Sequence, residues 1–403
     1  MKILIFSYLF PNKNFPYCGI FNHSRAKALK RAGCDVEVIA PINLSPYMIN
    51  IFPKFRLSET IKLFRKMITI QNIEIVDGIK VHHPKYWKLP DKLFWKNYSD
   101  IMHFFIGRQI EKIVEDFLPD LILSTWLNPY ASYSEFFKKK FQIINFALAE
   151  GSDLLIHPYL FRGWEKVEEK INKNCELIIA VSNSMKNHIE KRTNFKNVEV
   201  IRNGFDNDLF KYSNKMKISK EKKVKVISVG NFYTVKGHDI LLEAFKLLKI
   251  PMELTLVGSG PELKKCKEYV IQNGLENNVK FAGEIPHHKL PAILSQHDIF
   301  CLPSRSEGFP AAPLEAMGCG LPVVSSNVGD MEEVIVESFN GFLFKSESVV
   351  DLANKLILAS QINWDSKEIS DWAVRNFSWG KWADNIIEKF ESLSIERLDK
   401  VYL

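Results

Sequence analysis

The chain has 403 residues, more than one ordinary hydrophobic core accommodates, so two domains are predicted. Its composition, 46% hydrophobic and 25% charged, is that of a soluble globular protein, and no apolar run approaches the ~18 residues of a spanning helix. The net charge of +7 is uneven: residues 1–205 hold 30 Lys and Arg against 20 Asp and Glu, so the first half carries the whole positive excess and is expected to meet something anionic.

The opening "MKILIFSYLFP" has one lysine, a short apolar run and no small-residue cleavage site, so it reads as a buried first strand rather than a signal peptide. A loop holding Gly19 follows, then the helix "NHSRAKALKRAG" and the strand "DVEVIAP". Further strands are "DLILST", "FQIINFAL", "LIIAVS" and, closing this half, "VEVIRNGFD". Apolar runs alternating with amphipathic helices predict a parallel βαβ sheet. The stretches "FRKMITI" and "FFKKKFQ" mix aromatics with lysines, which suits an anionic membrane surface as well as nucleic acid; a solvated basic face is the plain alternative.

The polar, lysine-rich "YSNKMKISKEKK" (212–223) reads as an interdomain linker. The alternation then restarts with "VKVISVGNF", "MELTLVGSG", "VKFAGEI", "DIFCLPS", "LPVVSS" and "GFLF", separated by helical stretches. The fold class is therefore α/β, with two doubly wound Rossmann-like domains. The first spans 1–205, with a C-terminal helix of about 380–403 packing back on it, and the second spans 220–380. Ligands bind beyond the carboxyl ends of the strands in such sheets, which selects the loops "GNFYTVKG", "GSGPE", "GEIPHHKL" and "SRSEGFPAAP".

The last of these continues as "SEGFPAAPLEAMGCGLPVVSS", which sets Glu307 and Glu315 around a stretch of small residues. Pro313 suits the first turn of a short helix that Gly318, Gly320 and Pro322 stop, which places Glu307 in the loop and Glu315 in the first helical turn. The backbone N–H groups around residues 308–312, spanning Gly308, Phe309, Pro310, Ala311 and Ala312, lack bulk to hide them and form an anion site at a helix start. Carboxylates accept hydrogen bonds from vicinal hydroxyls. Hydroxyls at two places with an anion between them is the layout of a nucleotide sugar. Lys236, in the loop after the second half's first strand, is placed to neutralise a diphosphate leaving group.

From "VGNFYTVKG" through "LVGSGPE" to the run from "VKFAGEIPHHKL" to "MEEVI", this half resembles the family 4 (group 1) glycosyltransferases, which have the GT-B architecture of two domains facing across a cleft. The first half resembles them through "CGIFNHSRAKALKRAGCDVEVIAP", "EGSD" and "VIRNGFD". The resemblance implies that Glu307 sits by the donor sugar hydroxyls and Glu315 binds the ribose, with the amides of residues 308–312 on sugar and phosphate and Lys236 on the diphosphate. It implies that Gly19 lines the diphosphate from the other domain and that Glu284 and Ile285 hold the base by backbone. Phe309 reads as a wall of the donor site, and Leu314 belongs to the same "EGFP…PLEAM" context.

Two positions depart from the family pattern. Asn231 replaces an arginine that is often a second phosphate ligand, which shifts weight to Lys236, the helix end or Arg305. Glu150 replaces a histidine close to the reacting sugar; it would steady positive charge at the anomeric carbon, contact the acceptor hydroxyl, or be inert.

The expected activity is retaining transfer of a hexose or N-acetylhexosamine from a nucleotide sugar, UDP-linked on family frequency, to a glycan or polyprenyl-linked acceptor in polysaccharide or lipopolysaccharide assembly. No metal or other cofactor is expected, and no nucleic-acid partner. The expected location is cytoplasmic, extending to peripheral contact with the inner face of an anionic membrane. The alternative is a catalytically degenerate glycosyltransferase-like partner or sugar-binding subunit. A nicotinamide oxidoreductase is disfavoured because "GSGPEL" lacks the third glycine of its fingerprint. The six cysteines show no CxxC and read as reduced thiols. The adjacent pairs His82–His83 and His287–His288 are given no metal role, and Trp372, Trp379 and Trp382 read as packing residues of the terminal helices.

Overall fold

The computed structural model describes residues 1–45, 57–89, 91–213 and 223–402, so most of the expected linker lies outside the described residues. The chain divides into two compact units. Unit 1 comprises residues 1–201 and 382–403, and unit 2 comprises residues 202–381.

Unit 1 contains β1 (Lys2–Phe6), β2 (Asp35–Ile39), β3 (Ile42–Asn43), β4 (Ile73–Val76), β5 (Ile79–His82), β6 (Lys85–Tyr86), β7 (Leu121–Thr125), β8 (Ile144–Ala149), β9 (Leu177–Ala180) and β10 (Val198–Val200). Its main sheet has the order β10-β9-β8-β7-β1-β2-β5-β4, parallel except for the β4–β5 hairpin, while β3 and β6 pair separately. β7, β8 and β9 are buried along their whole lengths, as strands covered by helices on both faces must be.

Unit 2 contains β11 (Val224–Val229), β12 (Met252–Val257), β13 (Val279–Gly283), β14 (Ile299–Leu302), β15 (Val323–Ser326) and β16 (Gly341–Phe344). Its sheet is wholly parallel, in the order β13-β12-β11-β14-β15-β16. The period-2 alternation of side chains divides its core in two. Val226, Ile299 and Cys301 pack on one face with Leu241, Phe245 and Leu356; Ile227, Phe300 and Leu302 pack on the other with Leu314, Met317 and Ile369. Each fully buried side chain of this size contributes roughly 1.5–3 kcal/mol. Phe205 and Phe210, just past the start of unit 2, belong to the second face. A Cβ at Gly318 would lie 2.4 Å from the Phe205 ring, so this end of the 311–318 helix must be glycine.

The chain closes on the helices Ser366–Phe377 and Trp379–Tyr402. Trp372 packs against Phe339 and Phe377 in unit 2, and Trp382 is buried in unit 1. All six cysteines are free. No helix among the described residues is long and apolar enough to cross a membrane.

Candidate functional site

In unit 2 the chain runs outward from β11 through β12 to β13, then returns to β14 on the other side of β11 and runs outward again. The connections after β11 and β14 therefore part in opposite directions and leave a crevice beyond the ends of those two strands. The two loops are tied together: Arg305 N donates to Val235 O at 2.7 Å, and Arg305 Nη1 to Thr234 O at 2.6 Å. Gly237 is required at this junction. Its φ is 65°, and a Cβ there would lie 2.0 Å from Pro303 O.

Lys236 ends the 3₁₀ turn Thr234–Lys236 and reaches across to the other loop. Its Nζ donates to Glu307 Oε1 at 2.7 Å and Oε2 at 2.9 Å, and Ser304 Oγ donates to the same Oε1 at 2.7 Å. Ser304 is buried, and its carbonyl accepts from Ser326 Oγ at 2.6 Å, so the carboxylate rests on a buried, hydrogen-bonded support. Lys236 keeps a third N–H for a ligand.

The helix Ala311–Gly318 starts from Pro310, with no side-chain cap and no acidic residue in its first turn. Neither Pro310 nor Pro313 has an N–H, so the amides this segment can present are those of Gly308, Phe309, Ala311 and Ala312. A Cβ at Gly308 would meet nothing within 4 Å, so the backbone there faces open space. These amides and the helix dipole make the stretch electropositive. Phe309 is half-buried against the core and Phe377.

Glu315 is the fifth residue of this helix and so lies in its second turn, not the first as expected. Its carboxylate is mostly buried and meets His287 Nε2 at 2.7 Å. Glu307 and Glu315 are thus held by different side chains, Lys236 and His287. His287 received no role from the sequence, which weighed it only as half of a metal-binding pair. Its place two residues beyond Ile285, in a strand-end loop, was the available signal. The hydrogen bond to Glu315 raises its pKa above the usual histidine value against the opposing effect of burial.

Two expected donor contacts are redirected. Arg305 spends its guanidinium on carboxylates: Nη1 and Nη2 donate to Asp239 at 2.9 and 2.7 Å, and Nε to Glu347 at 2.9 Å. It clamps the two loops and is not turned to a phosphate. Leu314 is fully buried in the sheet core, so its side chain cannot line a ligand. Asn231 is exposed, and its carbonyl accepts from Tyr233 N at 2.8 Å. At the end of β13, Gly258 N donates to Gly283 O at 2.8 Å and Ser259 Oγ donates to Glu284, while Ile285 is partly buried against the core. His238, next to Gly237, is buried and stacked on Phe232 with ring centroids 4.2 Å apart; burial pushes its pKa down to about 4.

Unit 1 has its own switch point between β1 and β7. Gly19 begins the helix Ile20–Arg31 with φ 71°, and a Cβ there would lie 2.3 Å from Leu9 O, so only glycine lets the β1 loop rest on the helix start. Asn22 ties the ends of β1 and β7 by donating to Ser7 Oγ at 2.9 Å and Thr125 Oγ1 at 3.3 Å. Glu150, just past β8, accepts from the buried Arg25, whose guanidinium lies 5.6 Å from the Trp382 ring centroid. The Glu150 charge is therefore already compensated within unit 1. Asp153, which the sequence did not single out, holds this loop from below. Its carboxylate accepts from the backbone N–H of Gly151 at 2.8 Å and of Glu150 and Leu127 at 3.2 Å. Burial and then the nearby Glu150 push its pKa up to about 7, against those amides.

Residues 210–373 match the model of glycosyl transferases group 1, and residues 20–209 match that of glycosyltransferase family 4. The chain belongs to the group 1, family 4 glycosyltransferases. It is 28% identical over 308 residues to an uncharacterized glycosyltransferase of Methanocaldococcus jannaschii, covering 74% of this chain and 83% of that one. It is 26% identical over 365 residues, 88% of each chain, to TuaC of Bacillus subtilis (strain 168), whose name assigns it to teichuronic acid biosynthesis. Among solved structures it is similar to sucrose-phosphate synthase of Thermosynechococcus elongatus, with TM-score 0.70 and 17% identity over 98% of this chain and 100% of that one. It is also similar to HepE of Anabaena in complex with UDP, with TM-score 0.67 and 20% identity over 97% and 100%. The two Rossmann-like units of this glycosyltransferase are those of the GT-B fold.

Proposed function

We propose that this glycosyltransferase moves a hexose or N-acetylhexosamine from a UDP-sugar to a hydroxyl of a glycan or lipid-linked acceptor in the assembly of a cell-surface polysaccharide. The observation that carries this reading is the separate engagement of Glu307 by Lys236 and of Glu315 by His287, on either side of an uncapped helix start. In this reading Glu315 receives the ribose hydroxyls and Glu307 the sugar hydroxyls, with the diphosphate on Lys236 and the open amides. UDP is favoured by the nucleotide that HepE holds in its complex, and polysaccharide assembly by the name of TuaC.

The proposed chemistry breaks the bond between the anomeric carbon and the β-phosphate oxygen. The electron pair leaves with the nucleoside diphosphate, whose growing charge Lys236 and the amides stabilise. The acceptor oxygen bonds the anomeric carbon on the same face, and its proton passes to the departing phosphate. One preorganised donor of this kind is worth roughly 10²–10³ in rate, so a cation with helix amides replaces a divalent metal. An acceptor at a membrane is supported by the excess of Lys and Arg over acidic residues in residues 1–205 and by Leu93 and Phe104 of unit 1, 74% and 84% exposed.

The test is a thermal-shift series with UDP, GDP and ADP, followed by transfer from a panel of UDP-sugars with and without EDTA. A shift with one nucleoside diphosphate, together with an EDTA-insensitive product of retained configuration, is the expected result. Absence of any nucleotide shift would instead favour a degenerate partner subunit. Binding to anionic liposomes that did not depend on lipid charge or salt would remove the membrane part.

A further inference from the structure

We infer that His287 is a positioning residue for the nucleotide: it fixes the Glu315 carboxylate through Oε1 so that the remaining acceptor sites meet a vicinal diol. This rests on the reading of Glu315 as the ribose ligand.

The geometry supports it from three sides. First, His287 Nε2 lies 2.7 Å from Glu315 Oε1 and is the one side-chain hydrogen-bond partner of that carboxylate among the described residues. Second, the imidazole is itself held. It opens the 3₁₀ turn His287–Lys289 immediately after Pro286, and its ring stands edge-on to Phe210, which is fully buried, at 5.1 Å between centroids. Third, His287 follows β13 in the same loop as Glu284 and Ile285, the residues expected to hold the base. One side chain thus couples the base loop to the ribose carboxylate, across 28 residues of sequence.

An ionised carboxylate offers about four acceptor sites. His287 takes one, which leaves enough for both hydroxyls of a diol. Glu315 sits on a core-packed helix, but its side chain would still sample rotamers without His287, and binding a ribose would have to freeze them. His287 removes that cost before the nucleotide arrives. Its raised pKa, due first to the hydrogen bond with Glu315 and helped by nearby Asp206, agrees with a histidine that keeps its donor proton on this carboxylate.

The experiment compares binding of UDP, GDP and ADP with that of their 2′,3′-dideoxy counterparts, in the wild type and in His287→Ala, His287→Gln and Glu315→Gln. The wild type is expected to prefer the ribose form of one nucleotide by on the order of tenfold or more, the value of hydrogen bonds to a charged group. In His287→Ala that preference should fall several-fold while the dideoxy form binds as before. His287→Gln, which retains a donor, should recover part of it, and adding His287→Ala to Glu315→Gln should cost nothing further. In turnover, His287→Ala should raise the donor KM and leave kcat within about twofold. An unchanged ribose preference in His287→Ala, or an equal loss for ribose and dideoxy forms, overturns the inference and leaves the donor-site reading intact. A wild type that binds a nucleotide without any ribose preference overturns the reading of Glu315, and this inference with it. Thermal denaturation of the ligand-free variants reports folding; if His287→Ala does not fold, His287→Gln against Glu315→Gln carries the same comparison.

Discussion

Lys236 Nζ binds both oxygens of the Glu307 carboxylate, at 2.7 and 2.9 Å, from a loop 71 residues away in sequence. The pair joins the ends of β11 and β14, and both partners retain some exposure, so water screens it and its contribution to stability is small. Its consequence is expected in catalysis. Lys236→Ala should fold and lose on the order of 10² or more in kcat. Glu307→Gln should slow transfer while the nucleotide still binds, whereas Glu315→Gln should mainly weaken nucleotide binding. Wild-type kinetics in both glutamate variants would refute the assignment of the two carboxylates.

Two glycines of the same site should behave in opposite ways. Gly237→Ala would drive a Cβ to 2.0 Å from Pro303 O at a positive φ, so it should destabilise unit 2 by roughly 3 kcal/mol or more. Gly308→Ala meets nothing within 4 Å, so its melting temperature should match the wild type. In the proposed function the donor approaches this open backbone, so the added methyl should raise the nucleotide-sugar KM. Thermal denaturation paired with kinetics on both variants separates the two effects.

Buried Arg25 and partly buried Glu150 form an ion pair within unit 1. Arg25→Leu leaves Glu150 without its cation and removes the guanidinium from beside Trp382, at a cost of about 3 kcal/mol. Glu150→Gln keeps an acceptor for Arg25 and should cost about 1 kcal/mol or less. If chemical denaturation showed the reverse order, the buried Arg25 would depend on the full charge of Glu150 and not on a neutral acceptor alone.

His238 carries a pH signature. Burial holds its folded pKa at about 4, opposed by Asp239 and reinforced by Lys236, while the unfolded histidine titrates near 6.5. Between these values the unfolded chain binds the proton and the folded chain does not. The stabilisation is therefore complete above the unfolded pKa and is lost as pH falls from about 6.5 toward 4. His238→Phe preserves the stack on Phe232 and should flatten the fall in stability over this window. An identical pH dependence in variant and wild type would show that the histidine is not held neutral.

What the sequence determined by itself is whatever a short stretch of chain decides. Alternation of apolar strands with amphipathic helices specified two parallel sheets, because a strand covered on both faces must be apolar throughout. The strand-end loop positions of Lys236 and Glu307, and the place of Glu315 on the helix that follows, came from the same alternation. Tertiary structure alone decided which charged groups meet. Arg305 was legible as a cation near a phosphate site, yet Asp239 and Glu347 claim it, from 66 and 42 residues away. Leu314 lay inside a recognisable motif, but the turn of the helix directs it into the core. His287 looked like half of an idle pair until the end of β13 came beside the 311–318 helix, and Glu150 stood open among three roles until Arg25 was found buried against it. The Coulomb and hydrogen-bond terms that assign such partners act over a few ångströms of space, and a linear sequence does not record that separation.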